Sequence, residues 1–129
     1  MAKIFLQLSA INGLLAVVLG AFGAHYLKSK LSLESMSAYE TGIEYHFWHT
    51  LALLCVGLLS LNWPHTKTLV ASGWSFAIGI ALFSGSLYVL ATTTIRQIGF
   101  INVGLLTPLG GVILMLGWAL LFVAVSRQL

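Results

Sequence analysis

Charged residues are scarce in this sequence. Only 7% of its 129 residues are Asp, Glu, Lys or Arg, and 59% are hydrophobic, whereas about 25% of the residues of a soluble domain are charged. A water-soluble fold of this composition would expose large apolar patches, so we predict that the protein is embedded in lipid. The net charge of +3 is small and spread along the chain. It does not form a nucleic-acid-binding stripe and fits anchoring to lipid headgroups.

Cysteine and proline are nearly absent. The single cysteine, Cys55, has no partner for an intrachain disulfide, and we expect it to be a small core residue. Pro108 lies inside an apolar run, where proline removes one helical hydrogen bond and presses on the carbonyl of Gly104. We therefore predict a helix kink at Gly104 and Pro108. The kink is either a packing feature or a polar pocket, with Thr107 or a water as donor to the freed carbonyl.

Four apolar runs are long enough to cross a bilayer, which takes about 20 residues. They use most of the chain, so we predict one transmembrane domain, residues 1–129, with an all-α fold: an integral membrane four-helix bundle. The first run is too long for the hydrophobic region of a typical signal peptide, and we expect it to be retained. The predicted spans are residues 4–27, 45–63, 69–91 and 100–125.

The four spans place the connections on alternate sides of the membrane. Side A holds residues 28–44 and 92–99, and side B holds both termini and the turn at residues 62–65. Each side carries three Lys or Arg residues, and the free amino terminus adds a fourth positive group to side B. By the positive-inside rule we predict that both termini are cytoplasmic and that the protein lies in the inner membrane.

The segment before the second span is amphipathic. Leu33, Met36 and Ile43 recur at helical spacing, with glutamates mostly on the opposite face. Ser37 and Glu40 have the spacing of a capping box. We predict an amphipathic helix between spans 1 and 2, which either lies in the headgroup plane or runs straight into span 2.

Small residues recur at helical spacing in spans 1 and 3. Helices in lipid associate through close contacts at such residues. Span 1 has one stripe and span 3 has two, so we expect span 3 to pack against two neighbours. The stripes are Ser9, Gly13, Ala16, Gly20 and Ala24 in span 1, and Ser72, Ser75, Gly79 and Ser86 together with Gly73, Ala77, Ala81 and Ser84 in span 3.

Four motifs, in this order, resemble one known family. They are Gly-Ala-Phe-Gly-Ala-His at 20–25, Thr-Gly-Ile-Glu-Tyr at 41–45 with His-Thr-Leu-Ala at 49–52, Phe-Ser-Gly-Ser-Leu-Tyr at 83–88, and Thr-Pro-Leu-Gly-Gly at 107–111 with Gly117-Trp118. Together they resemble the domain-of-unknown-function 423 family of small four-span membrane proteins, over nearly the whole chain. The resemblance implies a membrane location and a four-helix build, and it implies no activity. His46 departs from the pattern, in which a residue such as Gln is usual.

Ionisable side chains are concentrated near side A. All three acidic residues lie between positions 34 and 44, and three of the four histidines flank them. The simplest interpretation is a hydrogen-bonded and salt-bridged cap that fixes span 1 against span 2. The candidate polar site consists of His25, Glu44, Tyr45, His49 and Thr107.

Two other functions stay open. Imidazole and carboxylate suit iron, zinc and copper, so His25, His46 and His49 are candidate ligands of a metal or haem, although the sequence requires no cofactor. Ionisable residues inside a membrane also suggest proton or ion handling. No nucleophile–base–acid set and no phosphate loop is present, so we do not predict an enzyme.

The function that we expect from the sequence is that of a small structural or accessory component. Its small-residue faces suit packing against itself, as a homo-oligomer, or against a larger membrane complex. The predicted partners are thus the lipid bilayer and other membrane proteins, and not nucleic acid.

Overall fold

A computed structural model describes the whole chain, Met1–Leu129, and it is almost entirely helical. Four long helices follow one another: α1 (Ala2–His25), α2 (Leu33–Asn62), α3 (Lys67–Thr92) and α4 (Val103–Gln128). A single 3₁₀ turn, Leu27–Ser29, connects α1 to α2. A small antiparallel hairpin of β1 (Gln97–Ile98) and β2 (Ile101–Asn102) connects α3 to α4. The prediction of an all-α helical bundle is confirmed.

Helix α2 is one uninterrupted helix that begins earlier than the predicted capping box. Ser32 has extended backbone angles, and its hydroxyl accepts a hydrogen bond of 3.1 Å from the backbone N–H of Ser35, which is the arrangement of a helix N-cap. Ser37 and Glu40 lie inside the helix, so the predicted capping box is wrong. The amphipathic segment runs straight into the predicted second span and does not form a separate helix in the headgroup plane.

Helix α4 begins at Val103 and not at Phe100, because the hairpin occupies the preceding residues. Gly99 forms the turn with a φ of 61°, which favours glycine. The side chain of Asn102 then caps α4 by accepting a hydrogen bond of 2.9 Å from the backbone N–H of Gly104. The loop predicted at residues 92–99 therefore contains the first strand of a hairpin that continues beyond it.

Pro108 lies in the second turn of α4, which continues past it as a helix. The Thr107 hydroxyl forms a hydrogen bond of 2.6 Å with the hydroxyl of Ser86 on α3. The Thr107 hydroxyl therefore joins α3 to α4 and does not donate to the carbonyl of Gly104. The kink at Gly104 and Pro108 stays a prediction.

Three helical segments are long and apolar enough to cross a membrane: Ala2–Ser29, Lys67–Thr92 and Val103–Gln128. Helix α2 does not meet this criterion. Its first half carries Glu34, Glu40 and Glu44, and two histidines follow. The predicted total of four spans therefore stays a prediction.

The helices pack in chain order, α1 on α2, α2 on α3 and α3 on α4. One large apolar cluster joins all four and includes Phe5 from α1, Leu53 from α2, Phe76 from α3 and Leu114 from α4. A second, smaller cluster lies near the end of the bundle that holds the 3₁₀ turn, and it includes Leu27, Tyr39 and Ala91.

Most small residues of the predicted stripes in α1 and α3 are buried or half-buried, whereas Ala24 and Ala81 are exposed. A Cβ on Gly13 of α1 would lie 3.7 Å from Thr50 of α2. The closest approach is between α3 and α4, where a Cβ on Gly110 would lie 2.8 Å from the Cα of Phe83. Helix α3 contacts both α2 and α4, which confirms the two neighbours expected from its two stripes.

The outer surfaces of α1 and α4 are apolar. Leu14 is 65% exposed and Phe122 is 73% exposed, which suits lipid as the surrounding medium. Cys55 is also exposed, so its expected place in the core is wrong. It lies on the side of α2 that faces α4 across an open groove.

Candidate functional site

His46 is a buried histidine that connects three helices. Its Nε2 lies 3.1 Å from Oδ1 of Asn12 on α1, and its Nδ1 lies 2.9 Å from the hydroxyl of Tyr88 on α3. The amide nitrogen of Asn12 donates to the carbonyl of Leu8 at 2.8 Å, so Oδ1 is the atom that faces His46. A carbonyl oxygen only accepts, hence Nε2–H of His46 donates to Asn12 and Tyr88 donates to Nδ1.

Two neighbouring hydroxyls extend this network along the α1–α2 contact. Thr50 donates to the carbonyl of His46 at 2.7 Å, and Ser9 donates to the carbonyl of Thr50 at 3.3 Å. The sequence interpretation missed Asn12 and Tyr88 as partners of His46. The signal that was available is the amide of Asn12 in the middle of the first apolar span, because a polar group at that depth needs a partner.

Tyr39 provides a second polar link between α1 and α2. Its hydroxyl donates to the backbone carbonyl of Leu19 at 2.6 Å. Gly23 leaves room for the ring, since a Cβ there would lie 3.0 Å from Cδ1 of Tyr39. Tyr39 and His46 thus join α1 to α2 through hydrogen bonds, whereas His25 and Glu44 are exposed. The role of His25 and Glu44 in a polar cap stays a prediction.

The structure brings together only part of the predicted polar site. Glu44, Tyr45 and His49 line one groove on α2. His25 is exposed at the end of α1, outside this groove, and Thr107 is bonded to Ser86 at the α3–α4 contact.

His49 is 8% exposed and is surrounded by aromatic rings. Its ring stacks on Tyr45 at 5.6 Å between centroids and lies 6.1 Å from the ring of Trp118 on α4. Its Nδ1 donates to the carbonyl of Tyr45 at 2.7 Å. This bond leaves Nε2 as the only polar atom of the ring that is free to bind another group.

The groove beside His49 runs between α2 and α4 and has a volume of about 680 Å³. It exists because α2 and α4 both pack mainly on α3 and less on each other. Glu44 is its only acidic residue. The lining is otherwise mostly apolar and aromatic: Tyr45, Trp48, His49, Leu51, Ala52, Cys55, Gly111, Leu114, Met115 and Trp118.

A smaller groove of about 240 Å³ lies between α1 and α2. Glu40 and Glu44, one helical turn apart, line it together with Gly20 and Gly23 of α1. Both carboxylates are exposed, so water can screen the repulsion between them.

The three histidines proposed as metal ligands occupy different surroundings. His25 is exposed, His46 is bonded to Asn12 and Tyr88, and His49 faces the groove between α2 and α4. The structure contains no group of three His, Cys, Asp or Glu side chains placed to share a metal ion. The arrangement therefore offers no support for the metal or haem hypothesis.

Comparison with known proteins agrees with the helical, apolar structure. Residues 19–111 match the family described as "Protein of unknown function (DUF423)". The chain is 42% identical to the UPF0382 membrane protein YwdK of Bacillus subtilis, over 98% of this chain and 99% of that protein. It is 38% identical to the UPF0382 inner membrane protein YgdD of Escherichia coli, over 98% of this chain and 92% of that protein. No solved structure matches the chain.

The family match covers more than half of the chain, and these relatives match nearly all of it. The relatives are named as membrane proteins, and three segments of this chain have the length and hydropathy of membrane spans. The protein is therefore a membrane protein of the DUF423 family, a family without an assigned function.

Proposed function

We propose that the protein is a small structural or accessory component of a membrane assembly. The observation that supports this most directly is the bonding of His46. It is the most deeply buried of the histidines at 4% exposure, and both of its ring nitrogens are occupied by Asn12 and Tyr88. A histidine held in this way joins helices and offers no free group for proton transfer or metal binding.

Other buried hydroxyls are used in the same way. Ser72 of α3 donates to the carbonyl of Gly117 on α4 at 2.8 Å, and Ser86 is bonded to Thr107. Polar contacts between membrane helices stabilise their association, because lipid offers no alternative partners. A bundle joined by such bonds at each of its interfaces suits a rigid scaffold.

The proposal includes four membrane crossings. Helix α2 has 30 residues and is about 45 Å long at 1.5 Å per residue, which exceeds the roughly 30 Å of a hydrocarbon core. Its last half, Tyr45–Asn62, carries no charged residue. With four spans, both termini lie on one side, and the extra positive amino group favours the cytoplasm of the inner membrane.

The proposed partner is a second copy of the protein or a larger membrane complex. Helices α1 and α4 are the outer helices of the row, and each packs mainly on one neighbour. Their exposed apolar faces leave room for another membrane helix in addition to lipid.

Extraction of the protein in native-lipid polymer particles tests this proposal. We expect mass spectrometry of the particles to show an oligomer or a stoichiometric membrane partner after mild cross-linking. An unrelated membrane protein of similar size, extracted from the same cells at the same level, is the control for random co-extraction. A strictly monomeric protein without a reproducible partner would contradict the proposal.

A further inference from the structure

The groove between α2 and α4 is a concave surface large enough to hold a small molecule. Its volume of about 680 Å³ lies within the range of about 300–1,000 Å³ that is usual for small-molecule sites. Its walls are two helices that are kept apart by α3, so the concavity is part of the fold.

His49 places an unpartnered hydrogen-bond acceptor in this groove. Its Nδ1–H is donated to the carbonyl of Tyr45 at 2.7 Å, so Nε2 of the neutral ring carries a lone pair. Nε2 has no hydrogen-bond partner in the protein. It is accessible from the groove, since the only fully buried side-chain nitrogen or oxygen without a partner is Oγ of Ser84. Lipid tails offer no hydrogen-bond donor. A ligand that fills the groove and donates a hydrogen bond to Nε2 of His49 is therefore expected to bind more tightly than a lipid tail.

The groove surrounds this acceptor with flat rings. Tyr45 stacks on His49 with an interplanar angle of 24°, and Trp118 lies across the groove at 67° to the histidine ring. Trp48 belongs to the same lining. Aromatic side chains pack well against the faces and edges of another ring, so this part of the groove suits a planar head group.

The remaining lining suits a long apolar chain and disfavours an anionic head group. Leu51, Cys55 and Met115 extend the walls without polar groups. Glu44 also lines the groove, and its carboxylate repels phosphate head groups, which selects against ordinary anionic phospholipids.

We propose that this groove binds an amphiphile with a planar, hydroxyl-bearing ring as its head and a long apolar tail, which is the chemistry of a quinol. The ring hydroxyl donates to Nε2 of His49, the ring packs among Tyr45, Trp48 and Trp118, and the tail leaves toward the lipid. A diacylglycerol shares the hydroxyl and the apolar chains but lacks the ring. A quinone shares the ring but has only acceptors.

Equilibrium binding to the full-length protein in lipid nanodiscs tests this site. The probes are a short-tailed naphthoquinol kept reduced under anaerobic conditions, the matching naphthoquinone, and dioctanoylglycerol. We expect the quinol to bind about tenfold or more tightly than either of the other two, since only the quinol offers both the donor and the ring. Equal affinity for quinol and quinone, equal affinity for dioctanoylglycerol, or no quinol binding would each overturn the proposal.

Two variants locate the binding. His49→Phe keeps a ring of similar size and removes Nε2, so we expect the preference for quinol over quinone to disappear. Gly111→Leu adds bulk to the groove wall, where a Cβ meets only the Phe83 ring at 3.6 Å, so binding of the quinol should be lost. His25→Phe, outside the groove, is the matched control and should bind as the wild type does.

Retained quinol preference in folded His49→Phe protein would overturn the assignment of the donor contact. If that variant does not fold, the comparison of quinol with quinone in the wild-type protein decides the proposal.

Discussion

Nε2 of His46 donates a hydrogen bond of 3.1 Å to Oδ1 of Asn12, across the contact between α1 and α2. The two residues are 34 positions apart in the chain, and the same imidazole accepts from Tyr88, 42 positions further on. One side chain therefore joins three helices through hydrogen bonds. Removing either partner leaves a polar atom in an apolar interior, where no water replaces the lost bond.

The bond between His46 and Asn12 should be measurable as a coupling energy. We expect Asn12→Leu to lower the free energy of unfolding by about 1–3 kcal/mol, because Nε2–H of His46 loses its acceptor. A double-mutant cycle with His46→Leu should give a coupling of about 0.6 kcal/mol, the average for hydrogen bonds between membrane helices, and at most about 1.7 kcal/mol. Reversible unfolding in mixed detergent micelles provides the measurement. His25→Leu, at an exposed site, is the control, and perfectly additive effects of the two substitutions would contradict the bond.

Gly110 should tolerate no side chain, whereas Gly85 should tolerate one. A Cβ at this position would lie 2.8 Å from the Cα of Phe83, so Gly110→Ala must push α3 and α4 apart. We expect a loss of about 1–3 kcal/mol in the free energy of unfolding, as for other overpacked contacts. Gly85→Ala is the matched control, since nothing lies within 4 Å of a Cβ there. Similar stability of the two variants would show that the helices are not in backbone contact at Gly110.

The proposed four crossings predict that the two ends of α2 lie on opposite sides of the membrane. Single cysteines in place of Lys30 and His65, in a Cys55→Ser background, flank this helix. In intact spheroplasts a membrane-impermeant maleimide should label Lys30→Cys and should reach His65→Cys only after lysis. Labelling of both positions from the same side would contradict a membrane-spanning α2, and the reverse pattern would contradict cytoplasmic termini.

Ser32 should stabilise the start of α2, whereas Ser37 should not. The Ser32 hydroxyl accepts from the backbone N–H of Ser35, and loss of such an N-cap costs about 0.5–2 kcal/mol. We expect Ser32→Ala to increase amide hydrogen exchange in the first turn of α2. Ser37→Ala, at an exposed position inside the helix, should leave exchange unchanged. Faster exchange in Ser37→Ala alone would favour a helix that starts at the capping box.

The sequence predicts the small-residue helix contacts better than it predicts the polar site. Gly13 and Gly79 could be placed at interfaces because small residues at helical spacing permit close approach, whatever the exact rotation of the helices. Hydrogen bonds depend on that rotation and on side-chain direction. His25 and Glu44 lie near one end of the bundle as expected, yet both are exposed. The polar contacts form one layer deeper, at His46.

The sequence by itself determined the medium, the helical class and the family of this protein. Scarce charge, long apolar runs and ordered motifs are properties of the chain alone, and they need no knowledge of how the helices meet. Only the tertiary structure decided which polar groups join the helices and which remain free. His46 and His49 are three positions apart on one helix. His46 contacts Asn12 and Tyr88, whereas His49 faces the groove beside Trp118. That difference arises because α3 packs between α2 and α4, and no local pattern in the sequence specifies it.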